Sequence, residues 1–139
     1  MRNTILLSHG TLAEGVYKAA SMIYGDLENV YYLCLEEKMG IEAFKEKLKE
    51  LIKGLDHSNE IIVLTDISGG SPYTAAVNVF LSMGMIHNFK MIAGLNLTLL
   101  LSTLFRNEEL SEDGLDEIID EARQGISKFQ LEDDGEDNL

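Results

Sequence analysis

Hydrophobic positions along the chain alternate between two rhythms. Short apolar runs rich in β-branched and aromatic residues, at positions 4–8, 30–35, 61–65 and 89–93, read as strands. Between them apolar residues recur at helical spacing. Over residues 12–24 the expected stripe is Leu12, Val16, Ala19, Ala20 and Ile23. Over 41–52 it is Ile41, Phe44, Leu48, Leu51 and Ile52. A third helix is predicted from Pro72 to near Gly84, and a short, strongly apolar one over 97–105. The last, over 115–128, carries Leu115, Ile118, Ile119, Ala122 and Ile126 on one side. Residues 129–131 fit either a final short strand or a frayed end.

Strands that alternate with helices predict an α/β fold, an open and mostly parallel four-stranded sheet with helices on both faces. Crossovers are expected to be right-handed. A strand order of 2-1-3-4 would set the first and third strands side by side. Ligands of such sheets gather outside the carboxyl ends of the strands, where the order reverses.

The chain of 139 residues is 45% hydrophobic and 25% charged, which suits one domain with a real core, predicted over residues 1–131. Its formal net charge of -13 argues against nucleic acid or an anionic membrane surface as a partner. Part of that charge is an acidic tail at 132–139, expected to be disordered. No apolar run approaches the ~20 residues of a membrane span, and no signal peptide is evident, so the expected location is cytoplasmic. Cys34, the single cysteine, excludes an intramolecular disulfide and reads as a buried, inert thiol.

Candidate chemistry sits at two strand ends. The first strand runs into Ser8-His9-Gly10, with Thr11 as the expected cap of the next helix. The third runs into Thr65-Asp66-Ile67-Ser68-Gly69-Gly70-Ser71-Pro72. There Gly69 and Gly70 allow a tight path, Ser71 is the expected N-cap, and Pro72 the first helical residue. If the two strands are neighbours, His9 and Asp66 share one crevice. Asp66 would then accept a hydrogen bond from one ring nitrogen and leave the other lone pair facing solvent. The amides of Gly70 and Ser71, with the Ser71 hydroxyl, could hold phosphoryl oxygens at the helix N-terminus. Gly10 leaves room for a partner protein to approach the ring. His57 and His87 precede the third and fourth strands and belong to the opposite sheet edge. No Cys/His spacing suggests zinc, and no nucleotide-binding fingerprint is present, so the site is expected to need no metal or cofactor.

The segments Ile5-Leu6-Leu7-Ser8-His9-Gly10, Leu64-Thr65-Asp66-Ile67-Ser68-Gly69-Gly70-Ser71-Pro72 and Ile92-Ala93-Gly94-Leu95-Asn96 resemble the IIA component of the mannose-type (mannose/fructose/sorbose) sugar phosphotransferase system. The resemblance implies a phosphoryl carrier. The histidine matching His9 takes a phosphoryl group from the phosphocarrier protein HPr and passes it to a IIB domain, which serves sugar-transporting membrane components. The residue matching Asp66 orients the ring, and Ser71 with nearby amides receives the phosphate. The resemblance also implies a homodimer with an exchanged antiparallel C-terminal strand, for which 125–131 is the candidate segment. Where the family pattern has bulky aromatics after His-Gly and before Gly-Gly, this chain has Thr11 and Ser68, a smaller and more polar rim. Thr98 stands where proline is common. No Ala/Pro-rich linker or IIB domain follows, so a free-standing IIA subunit is expected.

Three other readings compete. The phosphotransfer subunit of dihydroxyacetone kinase shares the fold type but has a different turn after the third strand. A hydrolase would use Ser71, His9 and Asp66 as a triad, although no Gly-x-Ser-x-Gly elbow is present. A regulatory binding module would leave His9 unphosphorylated.

Overall fold

The computed structural model describes residues 1–131. The tail expected to be disordered, 132–139, lies outside the described residues. Among the described residues nine elements follow in order: β1 Arg2–His9, α1 Leu12–Tyr24, β2 Val30–Leu35, α2 Ile41–Lys53, β3 Glu60–Thr65, α3 Ser71–Ser82, β4 Lys90–Ala93, α4 Leu97–Leu104 and α5 Glu112–Gln124. The sheet order is β2-β1-β3-β4, with all three pairings parallel, as the alternating pattern predicts. β1 and β3 lie side by side in a register that matches Leu6 with Leu64 and Leu7 with Thr65.

Successive side chains of a strand face opposite ways, so each strand feeds two cores. Leu6, Ile62, Leu64 and Ile92 pack beneath α1, α4 and α5, against Ala13, Ala20, Leu100 and Ile118. Ile5, Leu7, Ile61 and Val63 pack beneath α2 and α3, against Phe44, Leu48, Ala76 and Phe80. At the amino end of the sheet Arg2 Nε donates to Glu60 Oε2 at 2.8 Å. The same guanidinium donates to the carbonyls of Thr103, Arg106 and Glu108, tying the α4–α5 connection to β1. His57 and His87 line a cavity of about 1180 Å³ at that edge, far from His9, as their places in the sequence predict. No helix among the described residues is long and apolar enough to cross a membrane.

Several local expectations are corrected. The buried residues of α1 are Ala13, Val16 and Ala20, while Leu12 and Ile23 are exposed. Leu12 sits about 100° round the helix from Ala13, so it leaves the core-facing stripe. α5 begins three residues earlier than the apolar stripe because Ser111 caps it, accepting the Gly114 N–H at 3.0 Å. Asn96 caps α4 in the same manner, accepting the Leu99 N–H at 2.8 Å. Cys34 is half-buried, not sealed, because it lies on the edge strand β2 opposite Ser8. Residues 126–131 form no strand in the single chain, and Ile126, Phe129 and Leu131 are 76%, 83% and 70% exposed.

The Thr65 hydroxyl is fully buried and has no hydrogen-bond partner among the described residues. An orphaned hydroxyl costs stability that an apolar side chain of the same shape does not. Thr65→Val is therefore expected to stabilise the chain by about 1 kcal/mol, raising Tm by about 4 °C in a thermal melt. A lower Tm would show that the hydroxyl is satisfied.

Candidate functional site

The site forms where β1 and β3 end side by side. Their register carries His9 just beyond Leu7 and Asp66 just beyond Thr65, so the two side chains meet across 57 positions of sequence. Asp66 Oδ2 accepts two hydrogen bonds from one residue, the His9 backbone N–H at 2.8 Å and ring Nδ1 at 2.9 Å. Its other oxygen, Oδ1, accepts the Ile67 N–H at 2.8 Å. The His9 side chain is 47% exposed, whereas that of Asp66 is only 8% exposed. No hydrogen bond reaches ring Nε2 among the described residues.

The carboxylate is buried enough to be desolvated, yet well supplied with donors. Burial, the largest single influence, pushes its pKa up. The hydrogen bonds from the His9 N–H, the His9 ring and the Ile67 N–H, with the charge of the ring, outweigh that and hold it below the usual carboxylate range. Asp66 therefore stays ionised at neutral pH and keeps the proton on Nδ1. The Nε2 lone pair then points away from the carboxylate, available as a nucleophile.

The turn after β3 brings the N-terminus of α3 to the ring. Gly10 and Gly69, at φ +56 and +80, take left-handed conformations that shape the two turns around the site. A Cβ on Gly70 would lie 3.0 Å from His9 Cε1, so only glycine lets the ring sit so close to the backbone. The helix starts one residue earlier than expected. Gly70, not Ser71, occupies the N-cap position, at φ -73 and ψ 175, and Ser71 is the first helical residue, with no side-chain cap. The Gly70 N–H, expected to face a phosphoryl group, instead donates to the Ile67 carbonyl at 3.1 Å. The N–H groups of Ser71 and Tyr73 have no acceptor among the described residues, and Pro72 has none to offer. The expected pair of amides, Gly70 and Ser71, is thus replaced by Ser71 and Tyr73, with the exposed Ser71 side chain beside them.

Ser71 makes no hydrogen bond to His9 among the described residues, so the Ser–His link of a hydrolytic triad is missing. Thr11 and Ser68 are exposed on the rim, as expected, with Ile67, 61% exposed, between the turn and solvent. The rim is therefore less polar than Thr11 and Ser68 alone imply. Thr11 makes no side-chain cap for α1. That bond comes from Ser8, whose Oγ accepts the Ala13 N–H at 2.7 Å. The local pattern at 8–13 hides it, because the expected cap lies three residues later.

A carboxyl with a lower pKa in the folded than in the unfolded state contributes stability that is complete above the unfolded value, about 3.9. It is lost as the pH falls through the lower folded value. Asp66→Asn is expected to flatten the acid limb of a Tm-against-pH curve in that window. Coincident acid limbs for the two proteins would show that Asp66 is not held ionised by its donors.

The family model described as "PTS system fructose IIA component" matches residues 3–122. The chain is 31% identical over 111 residues to the fructose-specific EIIA component of Bacillus subtilis, covering 80% of this chain and 74% of that one. It is 30% identical over 128 residues to the mannose-specific EIIAB component of Escherichia coli, 91% of this chain but only 39% of that longer protein. Among solved structures, the phosphotransferase system component EIIA from Streptococcus agalactiae superimposes with a TM-score of 0.79 at 26% identity, covering 92% of this chain and 97% of that one. With a matched span that takes in both strand ends of the site, the chain belongs to the mannose/fructose family of phosphotransferase system IIA components.

Proposed function

We infer that this chain is a phosphoryl carrier that accepts its phosphoryl group on Nε2 of His9. The single observation that supports this most is the 2.9 Å bond between His9 Nδ1 and Asp66 Oδ2, which leaves the opposite nitrogen of a half-exposed ring unengaged. In the forward step the Nε2 lone pair attacks phosphorus on phosphorylated HPr. A new N–P bond forms, and the bond from phosphorus to the donor breaks with its electron pair remaining on the donor. The ring becomes cationic as the bond forms, and the adjacent Asp66 carboxylate stabilises that charge. The Ser71 amide and hydroxyl, with the Tyr73 amide, face the phosphoryl oxygens at the α3 N-terminus. The same step in reverse, with a IIB domain as acceptor, passes the group on towards sugar-transporting membrane components. All of these protein encounters belong to the cytoplasm.

Incubation with phosphoenolpyruvate, enzyme I and HPr is expected to place one acid-labile phosphate on His9. His9→Ala should abolish acceptance. Asp66→Ala should slow transfer by roughly 10²–10⁴-fold, as loss of an orienting carboxylate does in other His–carboxylate pairs. Ser71→Ala should cost less. Phosphate retained by His9→Ala, or full-rate transfer by Asp66→Ala, would overturn these roles.

The carrier is also proposed to be a homodimer that exchanges residues 125–131 as an antiparallel strand. Ile126, Phe129 and Leu131 lie exposed in the single chain, and the outer edge of β4 is unpaired among the described residues. An extended segment with apolar side chains fits such an edge. Light scattering should give twice the chain mass, and a chain ending at Gln124 should run as a monomer. A monomeric full chain would rule the exchange out.

A further inference from the structure

Three bonds fix the turn that carries His9, and each runs to a different element. The His9 N–H donates to Asp66, beyond β3. The Gly10 N–H donates to the Leu35 carbonyl of β2 at 2.8 Å. Ser8 Oγ accepts the Ala13 N–H of α1 at 2.7 Å. Packing does little here. The ring is half-exposed, and a Cβ on Gly10 would meet nothing within 4 Å. The outer part of the turn, His9 and Gly10, is therefore held by hydrogen bonds and not by side chains pressing from outside.

The Ser8–Ala13 bond differs from the others. Both residues are fully buried, so water cannot replace the hydroxyl as acceptor. It also spans the turn itself, joining the residue before His9 to the first turn of α1 and so fixing the distance that His9, Gly10 and Thr11 must bridge. On the opposite side the ring has little freedom, because Gly70 approaches Cε1 closely enough that a Cβ there would lie at 3.0 Å. A shift of a few tenths of an ångström in the turn would lengthen the Nδ1–Asp66 bond or press the ring on α3.

We propose that Ser8 is a positioning residue for a phosphoryl-carrying His9, its hydroxyl setting the span of the turn so that the ring reaches Asp66 and the α3 N-terminus together. The role is distinct from that of Asp66, which grips the ring directly. Ser8 never touches the reacting atoms and acts only through the backbone on either side of His9.

The test compares the full chain with Ser8→Ala, with Ser8→Cys, which keeps the shape but is a weak acceptor, and with Ile52→Val as a core control. Ile52 is buried on α2 at the far end of the sheet, and its loss of a methylene lowers stability without touching the turn. At temperatures below every melting transition, transfer from phosphorylated HPr is expected to fall roughly tenfold in both Ser8 variants at unchanged KM. Ile52→Val should keep the wild-type rate. Nitrogen-15 spectra of the His9 ring, which need no phosphoryl donor, should move from one Nδ1-protonated form towards a mixture in the Ser8 variants only. Wild-type rate and ring spectrum in Ser8→Cys, or an equal rate loss in Ile52→Val, would overturn the proposal. If the wild-type chain takes no phosphoryl group, the carrier assignment fails by itself, and the ring spectra still decide whether Ser8 places His9.

Discussion

A single carboxylate oxygen organises this molecule's working edge. Asp66 Oδ2 accepts both the main-chain and the ring N–H of His9, fixing where the residue stands and which way its ring turns. A carboxylate with only the ring to hold would leave the backbone free to swing. One with only the backbone would leave the ring free to choose its tautomer. Doing both from one oxygen requires β1 and β3 to be direct neighbours in a particular register, so the whole sheet order serves this contact.

The electrostatic setting is demanding. In the proposed carrier role a phosphoryl group would add negative charge to a chain that already carries a formal -13, close to a carboxylate that must stay ionised. No lysine or arginine comes from the two turns at 8–11 and 66–71. On that reading the compensating positive potential would come from peptide dipoles at the start of α3, equivalent to roughly half an elementary charge and confined to its first turn. Short range is useful in a carrier, because a group held by dipoles is stabilised without being trapped by a permanent counter-charge. The close fit of Gly70 against the ring keeps those dipoles near enough to act.

Much of this was legible in the residues. Four apolar runs separated by helical stretches point to a parallel sheet, and the order 2-1-3-4 with its register brings His9 to Asp66. The details that escaped depend on contacts between distant parts of the chain. Ser71 is the better N-cap residue by intrinsic preference, yet Gly70 takes that place, where the ring of a histidine 61 positions earlier leaves no room for a Cβ. Thr11 is likewise the better local cap, and Ser8 replaces it from inside the core. The core-facing stripe of α1 is Ala13, Val16 and Ala20, which turns Leu12 and Ile23 to solvent. The apolar rhythm of 126–131 resembles neither element clearly, which fits a segment whose partner lies outside its own chain.

The contact between His9 and Asp66 spans 57 positions, and the carbonyls of Thr65 and Asp66 are in turn bonded by the N–H groups of Leu95 and Gly94. The site is therefore a product of long-range closure, not of local folding. A chain still emerging from the ribosome exposes its histidine long before the segment that orients it has been made. Until β3 docks beside β1, the imidazole is an ordinary one in water, and chemical competence arrives together with the completed sheet.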